Sequence, residues 1–424
     1  MTLPQWWYDE LRDVAKRSRY GVVFAAVTGV LTGLVMAVFE WFVVDVCLAH
    51  LFRAPLWVQA VGPAVGLAVC AIVLAVVGRG ESPALADEYI QAFHEPDRRF
   101  AGRPVLARFA ASTASLAGGT AMGLEGTATF VGASIGSNLH RRLPPRLRGQ
   151  ARSLLIAGAA AGVAAGFKAP ATGAVFALEV PYRDNLARSS LLPALVASAS
   201  GYLTFVAIVG TAPLLPIRGI SGFSIPDLVG AAALGLLGGL GARLFAWIVL
   251  RAKALQGRLH PAWAVAGAGS SLAALFIVGR VATGESVTLG PGIEVVRWAL
   301  LPDHAVWILA VVLLLRCAAT VSAVAGGAAG GLFIPLVVAG ALLGRLVGAA
   351  IGADDMSLFV IVGISAFLGA GYRVPLAAVM FVAETTGRPF FVVPALIAAV
   401  VAELVMGNSS VTRYQRRPET AGAS

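Results

Sequence analysis

The chain has 424 residues, 58% of them apolar and 13% charged, with a mean hydropathy of +0.83. Soluble domains carry about 45–50% apolar and about 25% charged residues, so the composition excludes a soluble globular protein and points to a polytopic membrane protein. The net charge of +10 does not signal nucleic acid, because the bases cluster between apolar runs and not on one polar surface.

Near the N-terminus, Trp6, Trp7 and Tyr8 mix with Asp9, Glu10, Arg12 and Asp13. This predicts an interfacial cytoplasmic helix over residues 1–20, not a signal peptide. Apolar runs follow at 21–48, 55–78, 104–136, 151–180, 190–213, 226–250, 262–281, 306–325, 328–352, 357–386 and 390–408. A spanning helix needs about 20 apolar residues, and several runs exceed that. Gly118-Gly119, Gly326-Gly327, Gly330-Gly331, Pro170 and Pro375 break them. Irregular backbone at membrane depth is tolerated only inside protein or along a wet cavity. Gly132/Gly136 and Gly340/Gly344 have the spacing that lets helices approach closely. The charged stretch 86–108 reads as a solvated connector with an amphipathic helix around Tyr89–Phe93.

Basic residues fall at Arg12, Lys16, Arg17 and Arg19, at Arg141, Arg142, Arg146, Arg148 and Arg152, and at Arg413, Arg416 and Arg417. The positive-inside rule puts all three groups, and both termini, on the cytoplasmic side of the cell membrane. Cys47, Cys70 and Cys317 and the five histidines show no metal-ligand spacing, so no metal or cofactor is expected. Glu40, Asp45 and Glu403 have no motif context and read as interface or inter-helix residues.

Two stretches spell nearly the same sequence. Gly166-Phe167-Lys168-Ala169-Pro170 runs on to Phe176 and Glu179; Gly371-Tyr372-Arg373-Val374-Pro375 runs on to Phe381 and Glu384, at a constant offset of 205 residues. Upstream, Gly123-Leu124-Glu125-Gly126 corresponds to Gly330-Gly331-Leu332-Phe333-Ile334-Pro335. An internal repeat in an apolar chain predicts two membrane halves, 21–215 and 216–415, with a short tail at 416–424 and a shared site near the bilayer midplane.

Glycine-rich turns that open a helix leave N–H groups free at the positive end of its dipole. Two such starts aimed at one point make an anion site from partial charges, which lets an ion leave as readily as it enters. Glu125 lies in apolar surroundings beside one start. It reads either as a tethered anion that leaves its place when protonated, or as a carboxylate capping the helix.

These residues resemble the CLC family of chloride channels and chloride/proton antiporters over about 20–415. Gly331-Leu332-Phe333-Ile334-Pro335 is the family's G-x-F-x-P, and Gly123-Leu124-Glu125-Gly126-Thr127 stands at its G-[KR]-E-G-P. Lys168 through Val180 and Val374-Pro375-Leu376 through Thr386 match two further stretches. The resemblance implies an all-α inverted repeat of two halves with broken, tilted helices. It further implies a homodimer with one pore per subunit, and chloride as the transported ligand. Glu125 becomes the gating and proton-carrying residue. Ser82, Gly331, Leu332, Phe333 and Thr412 become anion-binding positions, and Gly123, Gly126 and Pro335 shape the helix starts.

The departures matter. The G-S-G-I-P motif has become Glu81-Ser82-Pro83-Ala84-Leu85, where Ser82 is an anion contact or a helix N-cap. Thr412 stands where the family has a tyrosine, as a hydroxyl donor or a terminal cap, with Tyr414 out of register. Val180 replaces the antiporters' inner proton glutamate, which favours a channel or weakly coupled behaviour over an antiporter. A fluoride/proton antiporter is a further alternative, against which the retained Ser82 speaks. Lys168 and Arg373 read as vestibule charges, as partners of Glu179 and Glu384, or as snorkelling bases. The short stretch after the last run leads to the expectation of no cytoplasmic nucleotide-binding tail. An intramembrane enzyme is disfavoured, since the carboxylates are scattered and the histidines peripheral.

Overall fold

The computed structural model describes residues 5–95, 98, 100, 102–143, 151–215, 222–301, 304–353 and 355–417; of residues 5–20 and 151 only the backbone is described. Arg146, Arg148 and the end of the 416–424 tail lie outside the described residues, as do the side chains of Arg12, Lys16, Arg17 and Arg19. In the first half, α1 spans Gln5–Glu40 and continues as a π-helical stretch, Trp41–Leu48. Then come α2 Ala49–Arg53, α3 Leu56–Val76, α4 Leu85–His94, α5 Gly102–Ala117, α6 Glu125–Arg142, α7 Ala151–Phe167, α8 Pro170–Glu179 and α9 Leu191–Val209. The second half holds α10 Ile225–Gln256, α11 Pro261–Thr283, α12 Ile293–Ala299 and α13 Val306–Ala325. It continues with α14 Phe333–Ile351, α15 Met356–Tyr372, α16 Pro375–Thr386 and α17 Val392–Met406. Among the described residues, eight helices are long and apolar enough to cross a membrane. This is a multi-pass, all-helical membrane protein.

The halves repeat each other's packing. α1 lies against α7 and α9 as α10 lies against α15 and α17, and α6 crosses α7 as α14 crosses α15. Equivalent elements also touch one another: α3 meets α11, α6 meets α14 and α8 meets α16. The contacts are reciprocal, as between Gly123 and Gly331, so the halves are related by a pseudo-two-fold axis. The glycines set the closeness of the crossings. A Cβ on Gly132 would strike the carbonyl of Gly158 and one on Gly158 that of Gly132; Gly340 and Gly363 obstruct each other in the same way in the second half.

The repeated sequence has a physical cause. α8 has 10 residues and α16 has 12; at about 1.5 Å per residue neither spans a bilayer. Each therefore begins within membrane depth, where its first N–H groups need partners. Glu179, ending α8, accepts the N–H groups of Leu376 (3.2 Å) and Ala377 (2.9 Å) at the start of α16. Glu384 in the last turn of α16 accepts those of Ala171 (2.8 Å) and Thr172 (2.6 Å) at the start of α8. Proline opens each helix because its missing N–H is no loss at that position, and the glutamate that closes one helix caps the other. Lys168 and Arg373 precede these starts in left-handed conformations (φ 55° and 59°) that end α7 and α15. Neither glutamate pairs with either base. Replacing Glu384 by alanine leaves two partly buried N–H groups unpaired and is expected to cost about 2–4 kcal/mol, read as a lower unfolding midpoint in detergent; an unchanged midpoint would contradict the capping role.

The segment around 86–108 is not a solvated connector. Asp87, Glu88, Tyr89 and Ile90 are buried, because α4 packs on α6 and α7 with its acids paired internally. Arg108 holds Glu88 at 2.9 Å and Glu81 at 2.7 Å, and Lys253 holds Asp87 at 2.7 Å.

Candidate functional site

The starts of α6 and α14 meet at the centre of the molecule. Gly123 and Gly331 bond reciprocally, N–H to carbonyl, at 2.9 and 2.7 Å. This antiparallel pair places the two glycine turns edge to edge and fixes where each helix begins. A Cβ on Gly123 or Gly331 would displace the Glu125 carboxylate, and one on Gly331 would also meet the backbone nitrogen of Gly126 at 2.5 Å. Gly126, in the first turn of α6, lies against the backbone of Gly330 and Gly331.

Glu125 is 3% exposed. Its Oε1 accepts the N–H of Phe333 at 2.5 Å, and its Oε2 has no hydrogen-bond partner. The carboxylate thus occupies the N-terminus of the opposite half's helix, where partial positive charge is concentrated. Phe333 sits among Phe167 (centroids 4.3 Å), Phe381 (5.1 Å), Phe176 (5.4 Å) and Tyr372 (6.3 Å), which dehydrates the N–H groups of the α14 start. Pro335 follows in the first turn of α14.

Two cavities flank this point. One, of about 80 Å³, is lined by Ser82, Met122, Gly330, Leu332, Tyr372 and Thr412. Arg108 anchors the Ser82 loop through the Ser82 carbonyl at 3.1 Å. Ser82 Oγ accepts the Ala84 N–H at 3.2 Å. The N-cap alternative is not seen, since α4 begins at Leu85 with Ala84 as its cap residue. Thr412 Oγ1 is paired with Ser410 Oγ at 2.9 Å. No helix ends at Thr412, so it is not a terminal cap. Tyr414 is half exposed and does not line the cavity. Asp87 and Lys253 close this cavity's other end, and Asp87 also takes the N–H of Arg413 at 2.8 Å.

The other cavity, of about 480 Å³, is lined by Glu125 itself together with Glu40, Asp45, Phe167 and Lys168. Lys168 shares this cavity with Glu125. Arg373 lines a separate cavity of about 310 Å³ with Glu179, and holds Asp184 at 2.6 Å and Glu403 at 2.9 Å. The two bases occupy equivalent repeat positions, but Asp184 and Glu403 hold only one of them. Val180 is buried, and its carbonyl accepts from Gln415 Nε2 at 2.9 Å, so no carboxylate stands there.

Sequence reasoning missed two features. Tyr372 reaches the Ser82 cavity: its hydroxyl oxygen accepts the N–H of Leu332 at 3.3 Å. The signal was in the repeat, where phenylalanine in one copy becomes tyrosine in the other. Glu40 and Asp45 line the Glu125 vestibule, brought there by the π-helical stretch at Trp41–Leu48, which no sequence pattern announced.

Broken helices from two inverted halves, meeting head to head at a buried carboxylate between two cavities, define a membrane transport protein of the inverted-repeat class. The chain belongs to the voltage gated chloride channel family, whose model matches residues 65–407. It is 28% identical over 436 residues to the H(+)/Cl(-) exchange transporter ClcA of Citrobacter koseri, covering 94% of this chain and 88% of that protein. It is 27% identical over 407 residues to the voltage-gated ClC-type chloride channel ClcB of the same organism, covering 91% and 95%. Among solved structures, a slow cyanobacterial Cl−/H+ antiporter matches with TM-score 0.79 at 21% identity, covering 91% of this chain and 94% of that one. A CLC-type fluoride/proton antiporter matches with TM-score 0.77 at 23% identity, covering 94% and 98%.

Proposed function

We propose that the chain exchanges chloride for protons across the cell membrane, with Glu125 carrying the proton and closing the anion path. The observation that carries this reading is the Glu125 carboxylate on the Phe333 N–H. A carboxylate and a chloride ion compete for that position, since two like charges at contact in a low dielectric repel strongly. Protonation removes the charge and frees the N–H, so proton and anion occupancy become linked. The protonated side chain opens into the Lys168 vestibule, which Glu125 already lines. Ser82, Leu332 and Thr412 bound the anion's place on the other side. The names of the exchange-transporter relatives support this reading over the channel behaviour expected from Val180.

The channel reading is favoured by the absence of a carboxylate at buried Val180 and by the name of the ClcB relative. Reversal potentials across planar bilayers in a fixed chloride gradient separate the two. Exchange predicts a reversal potential that moves when a pH gradient is added; a channel's stays at the chloride value. Fluoride in place of chloride under the same protocol tests the fluoride alternative. The same reading assigns no enzymatic activity, a homodimer and cytoplasmic termini. Accessibility of a cysteine introduced near Arg413 to a membrane-impermeant thiol reagent tests the last: labelling from outside intact cells would reverse the assigned orientation.

A further inference from the structure

Phe167 and Tyr372 hold the same place in the two repeats and differ by a single hydroxyl group. Both rings pack on Phe333. Tyr372 also meets Phe176 edge-on at 5.6 Å and is 1% exposed. Its hydroxyl oxygen accepts the Leu332 N–H, while its hydroxyl hydrogen has no acceptor among the described residues. A buried donor without a partner is costly. Tyr372 lines the small cavity with Ser82, and the Ser82 hydroxyl, accepting from Ala84, likewise has its hydrogen uncommitted among the described residues.

We propose that Tyr372 donates its hydroxyl hydrogen to the anion in the Ser82 cavity, so that the end of α15 supplies the second hydroxyl ligand of the site. This rests on the anion-transport reading above. Position 412 is the weaker candidate, because Thr412 has the shorter side chain and its Oγ1 is paired with Ser410. The Leu332 N–H reinforces the arrangement. Donation from the α14 start into the tyrosine oxygen polarises its O–H bond, so the helix terminus acts on the anion through the phenol. Leu332 and Phe333 are consecutive. Their N–H groups serve Tyr372 on one side and Glu125 on the other. The anion ligand and the gate therefore share one helix start.

The test is chloride binding to detergent-purified Tyr372→Phe, Tyr414→Phe and wild-type protein by titration calorimetry. The Tyr372→Phe variant keeps the ring that the first repeat already accommodates. Expected are about tenfold weaker chloride binding for Tyr372→Phe and a change within about twofold for Tyr414→Phe, whose ring is half exposed and does not line the cavity. Anomalous density from bromide-soaked wild-type crystals should lie within hydrogen-bond reach of the Tyr372 hydroxyl. Wild-type affinity in Tyr372→Phe, or bromide in the cavity out of reach of that hydroxyl, would overturn this inference and leave the transport reading standing. A wild-type protein that neither binds halide nor carries it into liposomes would overturn both.

Discussion

Replacing Glu125 by alanine is expected to reduce chloride-driven proton movement to the level of empty liposomes while anion flux continues and loses its dependence on pH. Glu125 is the carboxylate that sits on the Phe333 N–H and also lines the cavity with Lys168, so it links that N–H to the cavity. Its burial at 3% exposure leaves no bulk water to replace it as a proton acceptor at that point. Without the side chain, the N–H of Phe333 is open to anions at every pH. A pH-sensitive dye inside liposomes, read beside chloride efflux, checks both halves of the expectation. Proton movement at the wild-type rate, or flux with the wild-type pH profile, would contradict the assignment of Glu125.

The second large effect is expected from Gly126→Ala. A Cβ there would lie 2.7 Å from the Gly330 carbonyl oxygen and 2.8 Å from the Gly331 nitrogen. These are backbone atoms held by the reciprocal Gly123–Gly331 pair, so no side chain can rotate away. Overpacking of this kind costs about 1–3 kcal/mol. Relief requires the two helix starts to separate, which draws the Phe333 N–H off the Glu125 carboxylate. Anion flux should fall about tenfold or more, since each 1.4 kcal/mol is roughly a factor of ten, and the unfolding midpoint should drop. Gly267→Ala in α11 is the control: a Cβ there meets nothing within 4 Å, so flux and midpoint should hold. Equal behaviour of the two variants would show that the close approach at Gly126 is unimportant.

Much of the architecture is legible in the sequence because the repeat is physical. The proline start and glutamate end recur since each short helix caps the other's first turn, through Glu179 and Glu384. The glycine turns at 123–126 and 330–333 announce where helices begin inside the protein. What the sequence hides is partner choice. Lys168 and Arg373 share a repeat position and a backbone conformation, yet Asp184 and Glu403 hold Arg373 while Lys168 stands in the cavity that Glu125 lines. The charges of 86–108 look solvated until Arg108 and Lys253 are placed against them. Tyr372 passes for a conserved aromatic of the repeat, because the direction of a hydroxyl is a property of the packed core. Position 412 drew attention as the site of a missing tyrosine, while a tyrosine from another helix stood at the same cavity.

The central claim is that Glu125 and a free anion compete for the N–H of Phe333. Bromide-soaked crystals of wild-type protein and Glu125→Gln, compared at one neutral pH, test it most directly. Competition predicts anomalous density at the Phe333 N–H in the Gln variant, with the side chain displaced toward the Lys168 vestibule, and none there in the wild type. Bromide at that N–H in the wild type with the carboxylate still in place, or its absence from the variant with the amide moved aside, would contradict the account.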